Sequence, residues 1–340
     1  MRIGIAGVDA TTRTLLHALL SRGDAESVGI ASDAPPQAIV RFLTRGWAGD
    51  RTRLDGWAEG DQLLLRGRYG RGGLREDWIR VHTHDDIRSG EAAGAYDVWI
   101  GADVVAAQQL LEPDGAAGSA PVVGWGPSPH PEIPWIWPWS GEATLAALAG
   151  SGVVPLPPPE LVGGLAFLSV ADGLAEVRDA AILAVVPGHA AGATGDLPGV
   201  PAALTVTWDA PSDFLFLKPA AVELRCGVRF ALVRAPVVRG GAIVVTSTCA
   251  RDVDEGALGR RVKRAARDAL KRVLAQEDAD ADSSSAFGVP AIAVLGECSL
   301  SVSSTQATCT LATSCEEARS IQAGLVLDQL RPAAGLRTST

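Results

Sequence analysis

Arg2-Ile3-Gly4-Ile5-Ala6-Gly7-Val8-Asp9-Ala10-Thr11-Thr12-Arg13 decides the fold. Residues 2–6 form an apolar run of strand length, Gly7 supplies a turn, and Leu15, Leu16, Leu19 and Leu20 then share one face of a helix. A second strand is expected over residues 27–32, ending at Asp33 with a proline turn behind it. Strand, helix and strand at this spacing predict a βαβ unit, whose crossover makes the two strands parallel.

Working outward, β-like text recurs at 61–68 and 78–83, a core strand at 96–101, and one more at 121–124. Together these predict a first domain of the nucleotide-binding type. The stretch from Gly124 to Ser140 carries Trp125, Trp135, Trp137 and Trp139 among several prolines, which excludes a regular helix or central strand. A helix is expected at about 141–150, with Ser140 as its N-cap, and the domain boundary is placed there. Strands follow at 164–170, 181–186, 203–208, 228–233 and 242–247, then a basic helix at 255–274 and an acidic small-residue loop at 277–285. Two strands at 291–295 and 308–312 and a final helix at 316–330 complete the expected elements.

The 340 residues suffice for a large core and favour two domains over one. With 47% hydrophobic and 20% charged residues the composition is that of a globular protein rather than a disordered one. A net charge of −9 argues against an electrostatic grip on nucleic acid or an anionic membrane. No apolar run reaches membrane-spanning length and no signal-peptide pattern opens the chain, so neither partner class is expected and a cytoplasmic location is. Cys226, Cys249, Cys298, Cys309 and Cys315 show no paired spacing and read as small buried hydrophobes.

This order of elements resembles glyceraldehyde-3-phosphate dehydrogenase over nearly the whole chain. The resemblance is carried by Ile3-Gly4-Ile5-Ala6-Gly7 with Arg13, by Ile30-Ala31-Ser32-Asp33 with Pro35, and by Gly126-Pro127-Ser128. Further on it is carried by Val233-Arg234-Ala235-Pro236, by Ser284-Ser285-Ala286-Phe287, and by the final helix with Ile321, Leu325, Val326 and Leu330. It implies an α/β fold: a Rossmann-like parallel-sheet domain over 1–139, with the C-terminal helix 316–330 packed back on it, plus an α+β domain with a mainly antiparallel sheet over 140–315.

The chain departs from that family where its chemistry resides. At the start of the helix where the family carries a cysteine nucleophile, the resemblance places Ser140, and at the position of the activating histidine on the next strand it places Val170. Without a thiolate and its base the thioester route is not supported. The second and third glycines of the phosphate-binding turn become Asp9 and Thr12, so a carboxylate would face a diphosphate. Gly7 survives, and Asp33 can still accept from ribose hydroxyls. Cys315 stands where the family has an asparagine near the nicotinamide. No cofactor is expected, with NAD(P) as the alternative.

The candidate catalytic residues are Ser140, as a nucleophile or oxyanion-side hydroxyl, and the pair His130 and Glu132, for proton transfer. The competing readings are a helix cap and a proline-bounded surface turn. Arg234 can hold a phosphate or carboxylate, or make a structural ion pair. Trp135, Trp137 and Trp139 alternate as in an extended segment and line an apolar cleft, or pack in a core or subunit interface. His82 and His84 share a strand face without a third ligand, so no metal site is expected. The basic residues of helix 255–274 read as a solvated face.

The function these residues suggest is that of a relative which has lost thiol dehydrogenase chemistry and acts on a small molecule in an interdomain cleft, with a place in specialised metabolism. The alternatives are an NAD(P)-dependent oxidoreductase without a catalytic cysteine and a non-catalytic partner subunit. A homo-oligomer is expected.

Overall fold

In a computed structural model of the chain the described residues are 1–22, 25–45, 52–69, 79–84, 94–102, 104–112, 114–115, 117–125, 136–138, 152–187, 205–207, 224, 226–235, 240–277 and 289–333. They form a mixed α/β structure with two sheets, one mostly parallel and one mixed. The chain divides into two compact units, residues 1–157 with 323–340, and residues 158–322. The expected boundary after residue 139 lies outside the described residues.

In the first unit β1 (Arg2–Ala6) leads through Gly7 into α1 (Ala10–Arg22) and back to β2 (Ser27–Ala31), which pairs parallel with β1 from Arg2↔Ser27 to Ala6↔Ala31. Helix α2 (Pro36–Thr44) starts on a proline, whose missing N–H costs nothing at a first helical position. The antiparallel hairpin β3 (Thr52–Glu59) and β4 (Gln62–Tyr69) comes next, then β5 (Ile79–His84), β6 (Val98–Gly101), α3 (Val104–Leu110), β7 (Val122–Trp125) and β8 (Val153–Leu156). The eight strands run in the order β3-β4-β5-β2-β1-β6-β7-β8; the six from β5 to β8 in this order are mutually parallel, and the β3–β4 and β4–β5 pairings are antiparallel. The chain therefore moves outward from β1 in one direction through β2 and β5, then reverses at the β1–β6 pair.

Alternation along the strands gives this sheet two unlike faces. Ile3, Ile5, Val28, Ile30, Val98 and Ile100 join Leu15, Leu16 and Leu19 of α1 in a fully buried aliphatic cluster. The opposite face carries Gly4, Ala6, Gly29 and Ala31. Trp99 and Tyr96 lie across it, and Ala106 and Leu110 of α3 complete that cluster. The small residues are required: a Cβ on Gly4 would sit 2.5 Å from Trp99 Cδ2, and one on Gly29 would collide with the Tyr96 hydroxyl.

The second unit begins with α4 (Pro159–Ala175), followed by β9 (Val177–Pro187), β10 (Thr205–Thr207), β11 (Gly227–Ala235), β12 (Gly241–Cys249), α5 (Glu255–Arg267), β13 (Leu274–Gln276), β14 (Ala293–Ser303), β15 (Gln306–Thr313) and α6 (Cys315–Ala333). The seven strands run β10-β11-β9-β12-β15-β14-β13. Pairings β11–β9 and β14–β13 are parallel and the other four antiparallel, so the sheet is mixed. The division between the units falls inside α6: Ala323, Val326, Leu327 and Leu330 belong to the aliphatic cluster of the first unit.

Two expectations fail here. Residues 164–170, expected as a strand, are the middle of α4, a helix buried nearly all round, whose Gly163 and Gly164 let Ala293 and Ile182 approach. Val170, placed by the resemblance at a strand-borne histidine, is therefore a helical core residue. The basic helix stops at Arg267 rather than near 274. Asp268 leaves helical geometry, and Leu270 to Leu274 close turns before β13.

Candidate functional site

The carboxyl ends of β1, β2, β5 and β6 gather the described polar groups that the first unit places on one edge of its sheet. In parallel sheets of this kind, ligands bind outside the carboxyl ends where the strand order reverses. At the end of β1, Gly7 adopts φ +86°, a conformation that favours glycine, and donates its N–H to the Ala31 carbonyl at 2.9 Å. The chain then enters α1 through a reciprocal cap. Thr12 N–H donates to Asp9 Oδ1 at 2.8 Å, Asp9 N–H donates to the Thr12 hydroxyl at 3.2 Å, and that hydroxyl donates to the Gly7 carbonyl at 3.0 Å. This is the capping-box arrangement, three residues apart, with an acid at the cap. Its carboxylate also complements the positive end of the helix dipole. One turn on, buried Arg13 donates from Nε to the Leu43 carbonyl at 3.0 Å, so it ties α1 to α2.

At the end of β2, Ser32 is buried and donates its N–H to the His84 carbonyl at 3.0 Å, while its hydroxyl accepts from Ala34 N–H at 3.2 Å. Asp33 follows, exposed to solvent. His84 closes β5, and its Nε2 lies 2.9 Å from the Tyr96 hydroxyl, with the two rings edge to face. Tyr96 in turn packs edge to face on Trp99, ring centres 5.0 Å apart. Burial pushes the Tyr96 hydroxyl up to about 12. The pair therefore holds a neutral phenol against the imidazole. Neither residue's contact with the other is written in the sequence, because it joins the end of β5 to the segment before β6 and depends on Gly29 leaving room.

Of the sequence-predicted residues, Gly7 and Asp33 lie on this edge. Ser140, His130, Glu132, Trp135 and Trp139 are outside the described residues. Trp137 is buried at 4% exposure between two anchors: Ile136 N–H donates to the Pro155 carbonyl at 2.8 Å, and Gln329 donates to the Pro138 carbonyl at 2.6 Å. The backbone of Arg234 lies in β11, in register with Val186 and Thr205, and its side chain is outside the described set. His82 shares a face with His84 and is exposed. Among the described residues no three His, Cys, Asp or Glu side chains converge as a metal site.

The described thiols are placed for packing. Burial raises Cys309 far above the ordinary cysteine value, and raises Cys249 and Cys226 as well, with Asp172 adding to the shift at Cys226. That is the opposite of the electropositive setting a nucleophilic thiolate needs. No helix of the described residues is long and apolar enough to cross a membrane. Compared with models of known families and with curated proteins, the chain matches none.

Proposed function

We propose that the chain is a divergent relative of glyceraldehyde-3-phosphate dehydrogenase, with a Rossmann-like first domain, that has lost thiol dehydrogenase chemistry and acts on a small molecule without a nicotinamide cofactor. The order β5-β2-β1-β6-β7-β8 supports the Rossmann-like part, since it corresponds to the order 3-2-1-4-5-6 of doubly wound dinucleotide-binding sheets.

The observation that carries the reading is the Asp9 cap. A dinucleotide diphosphate in such a domain sits at the N-terminus of the first helix, drawn by its free amides and admitted by glycines. Here Asp9 Oδ1 accepts the Thr12 N–H, and Thr12 fills the place of the packing glycine. An incoming diphosphate would meet a fixed carboxylate and one amide fewer. The turn therefore does not fit the cofactor. Thiolate chemistry lacks support on separate grounds: the first 225 residues contain no cysteine, and burial raises every thiol described.

Within this reading Arg234 holds an anionic group of the substrate, Ser140 with His130 and Glu132 carries the chemistry, and the chain works as a homo-oligomer. Differential scanning fluorimetry against inorganic phosphate and a panel of small phosphorylated and carboxylated molecules tests it. The wild-type chain should be stabilised by at least one anionic compound, and Arg234→Ala should lose that shift. A shift of equal size in Arg234→Ala removes Arg234 from the site, and silence across the panel favours a non-catalytic partner subunit.

A further inference from the structure

Helix α4 runs back along β9: Gly164 lies against Ile182, and Ala175 reaches the start of the strand, where its carbonyl accepts the Ala250 N–H at 3.1 Å. The first turn of α4 therefore stands at the carboxyl end of β9. Antiparallel pairing of β9 with β12, of β12 with β15 and of β15 with β14 brings the amino ends of β12 and β14 to that same end, with the carboxyl end of β15.

Two buried polar side chains of the second unit are placed there. Glu160, in the first turn of α4, is 4% exposed. It precedes by three residues Gly163, where a Cβ would meet Ala293 and Ile243, so it shares the side of the helix that faces the sheet. Among the described residues its carboxylate has no hydrogen bond and no ion pair. Ser314 joins β15 to α6, is 2% exposed, and accepts the Ala318 N–H on its carbonyl at 2.7 Å. A serine at such a cap ordinarily turns its hydroxyl on the first amides of the helix. Here Ser314 Oγ is buried without a hydrogen-bond partner. Ile292 connects the two places: its carbonyl accepts from the Thr313 hydroxyl at 2.9 Å, and its Cγ2 lies 4.0 Å from the position of a Cβ on Gly163.

Folded proteins pair their buried polar groups, and a buried carboxylate without a partner calls for an occupant that supplies donors and positive charge. A second acid, Glu317, lies one turn into α6 at 8% exposure and disfavours an anion beside Glu160. Glu317 and Arg319 have interactions of their own. Among the described residues no three His, Cys, Asp or Glu side chains converge, so the acceptors suit an ammonium group rather than a metal ion. On β11, Arg234 is in register with Val186, near the carboxyl end of β9.

We propose that this end of the second unit binds a small amino acid-like zwitterion, whose protonated amine donates to the Glu160 carboxylate and to Ser314 Oγ. The inference names the substrate class of the site assigned above to Arg234, and it rests on that reading for the anionic group alone.

Calorimetric titration of the full chain with β-alanine, γ-aminobutyrate, L-serine and O-phosphoethanolamine, each beside its N-acetyl form, tests it. At least one free amine should bind saturably, and its N-acetyl form about tenfold more weakly or worse, since a charge-assisted hydrogen bond is lost. Glu160→Gln should weaken the amine by a similar factor, and Ser314→Ala by a smaller one. The N-acetyl comparison uses the wild-type chain and holds even where a variant does not fold. Silence from every amine overturns the proposal, as do N-acetyl forms that bind as well as the amines. Amine binding unchanged in Glu160→Gln overturns it too. Amine binding that survives Arg234→Ala but not Glu160→Gln upholds the Glu160 contact and removes Arg234 from the site. Binding that is lost in Arg234→Ala and indifferent to N-acetylation leaves Arg234 in place and overturns the role of Glu160.

Discussion

Asp9 and Thr12 close the N-terminus of α1 on each other: the Thr12 N–H reaches Asp9 Oδ1 at 2.8 Å, and the Asp9 N–H reaches the Thr12 hydroxyl at 3.2 Å. Two of the helix's orphan donors are satisfied by the chain's own side chains rather than left open to an anion. Removing the acid should cost the helix its cap. Asp9→Ala is expected to lower stability by about 1 kcal/mol, and Asp9→Asn, which still accepts the bond, by less. Urea titration of both variants measures this, and an unchanged midpoint for Asp9→Ala would show that the cap carries no stability.

Gly4 makes the second sheet face possible. A Cβ there would lie 2.5 Å from Trp99 Cδ2 and Cε3, and Trp99 is fully buried. Gly4→Ala should therefore cost about 1–3 kcal/mol by overpacking. It should also alter the near-ultraviolet circular dichroism of the tryptophans. Adding Trp99→Leu should recover part of the loss, because the smaller ring-free side chain leaves room for the methyl. Gly4→Ala with wild-type stability would contradict the close approach.

Asp97 ties the start of β6 to the start of β1, accepting from Arg2 N–H and from the Arg2 guanidinium at 2.8 Å. Burial pushes the Asp97 carboxyl up, but the hydrogen bonds and charge of Arg2 outweigh it and hold the group below its ordinary value. A carboxyl depressed in the native state adds stability that is complete above the unfolded value of about 3.9 and is lost as pH falls through the lower native value. Melting temperature measured down to pH 2 should fall less steeply in Asp97→Asn than in the wild type. Parallel acid limbs would remove the pair from the acid response.

Tyr96 should titrate late. The sequence has two tyrosines, Tyr69 and Tyr96, and burial holds the Tyr96 hydroxyl at about 12 against its His84 partner. Its folded value lies above the unfolded value of about 10, so its contribution is complete below pH 10 and is lost as pH rises through 12. Absorbance titration at 295 nm should show one step at about pH 12 that is missing in Tyr96→Phe. A step near pH 10 lost in that variant would mean that the hydroxyl is solvated.

The first βαβ unit is legible because each of its elements repeats its own period. Ile3 and Ile5 alternate with small residues, and Leu15, Leu16 and Leu19 recur on one helical face. The capping spacing of Asp9 and Thr12 is also visible in the sequence, although there it reads as damage to a glycine turn rather than as a cap. Helix α4 is not legible. Leu161 to Leu168 is apolar on every side, and a helix buried all round has no 3.6-residue stripe to separate it from a core strand. Helix α2 hides behind Pro35 and Pro36, which punctuate a turn as readily as they start a helix. The His84–Tyr96 contact is tertiary, fixed by strand order and by Gly29, and no local spacing around either residue encodes it.

The proposed loss of the nicotinamide cofactor rests on the Asp9 cap of the first helix. Titrating the wild-type chain with NAD⁺, NADH, NADP⁺ and NADPH by isothermal calorimetry, with tryptophan fluorescence alongside, tests it most directly. No saturable heat or quenching up to millimolar nucleotide is predicted for any of the four. Saturable binding of one of them in the micromolar range would overturn that loss and favour an NAD(P)-dependent oxidoreductase.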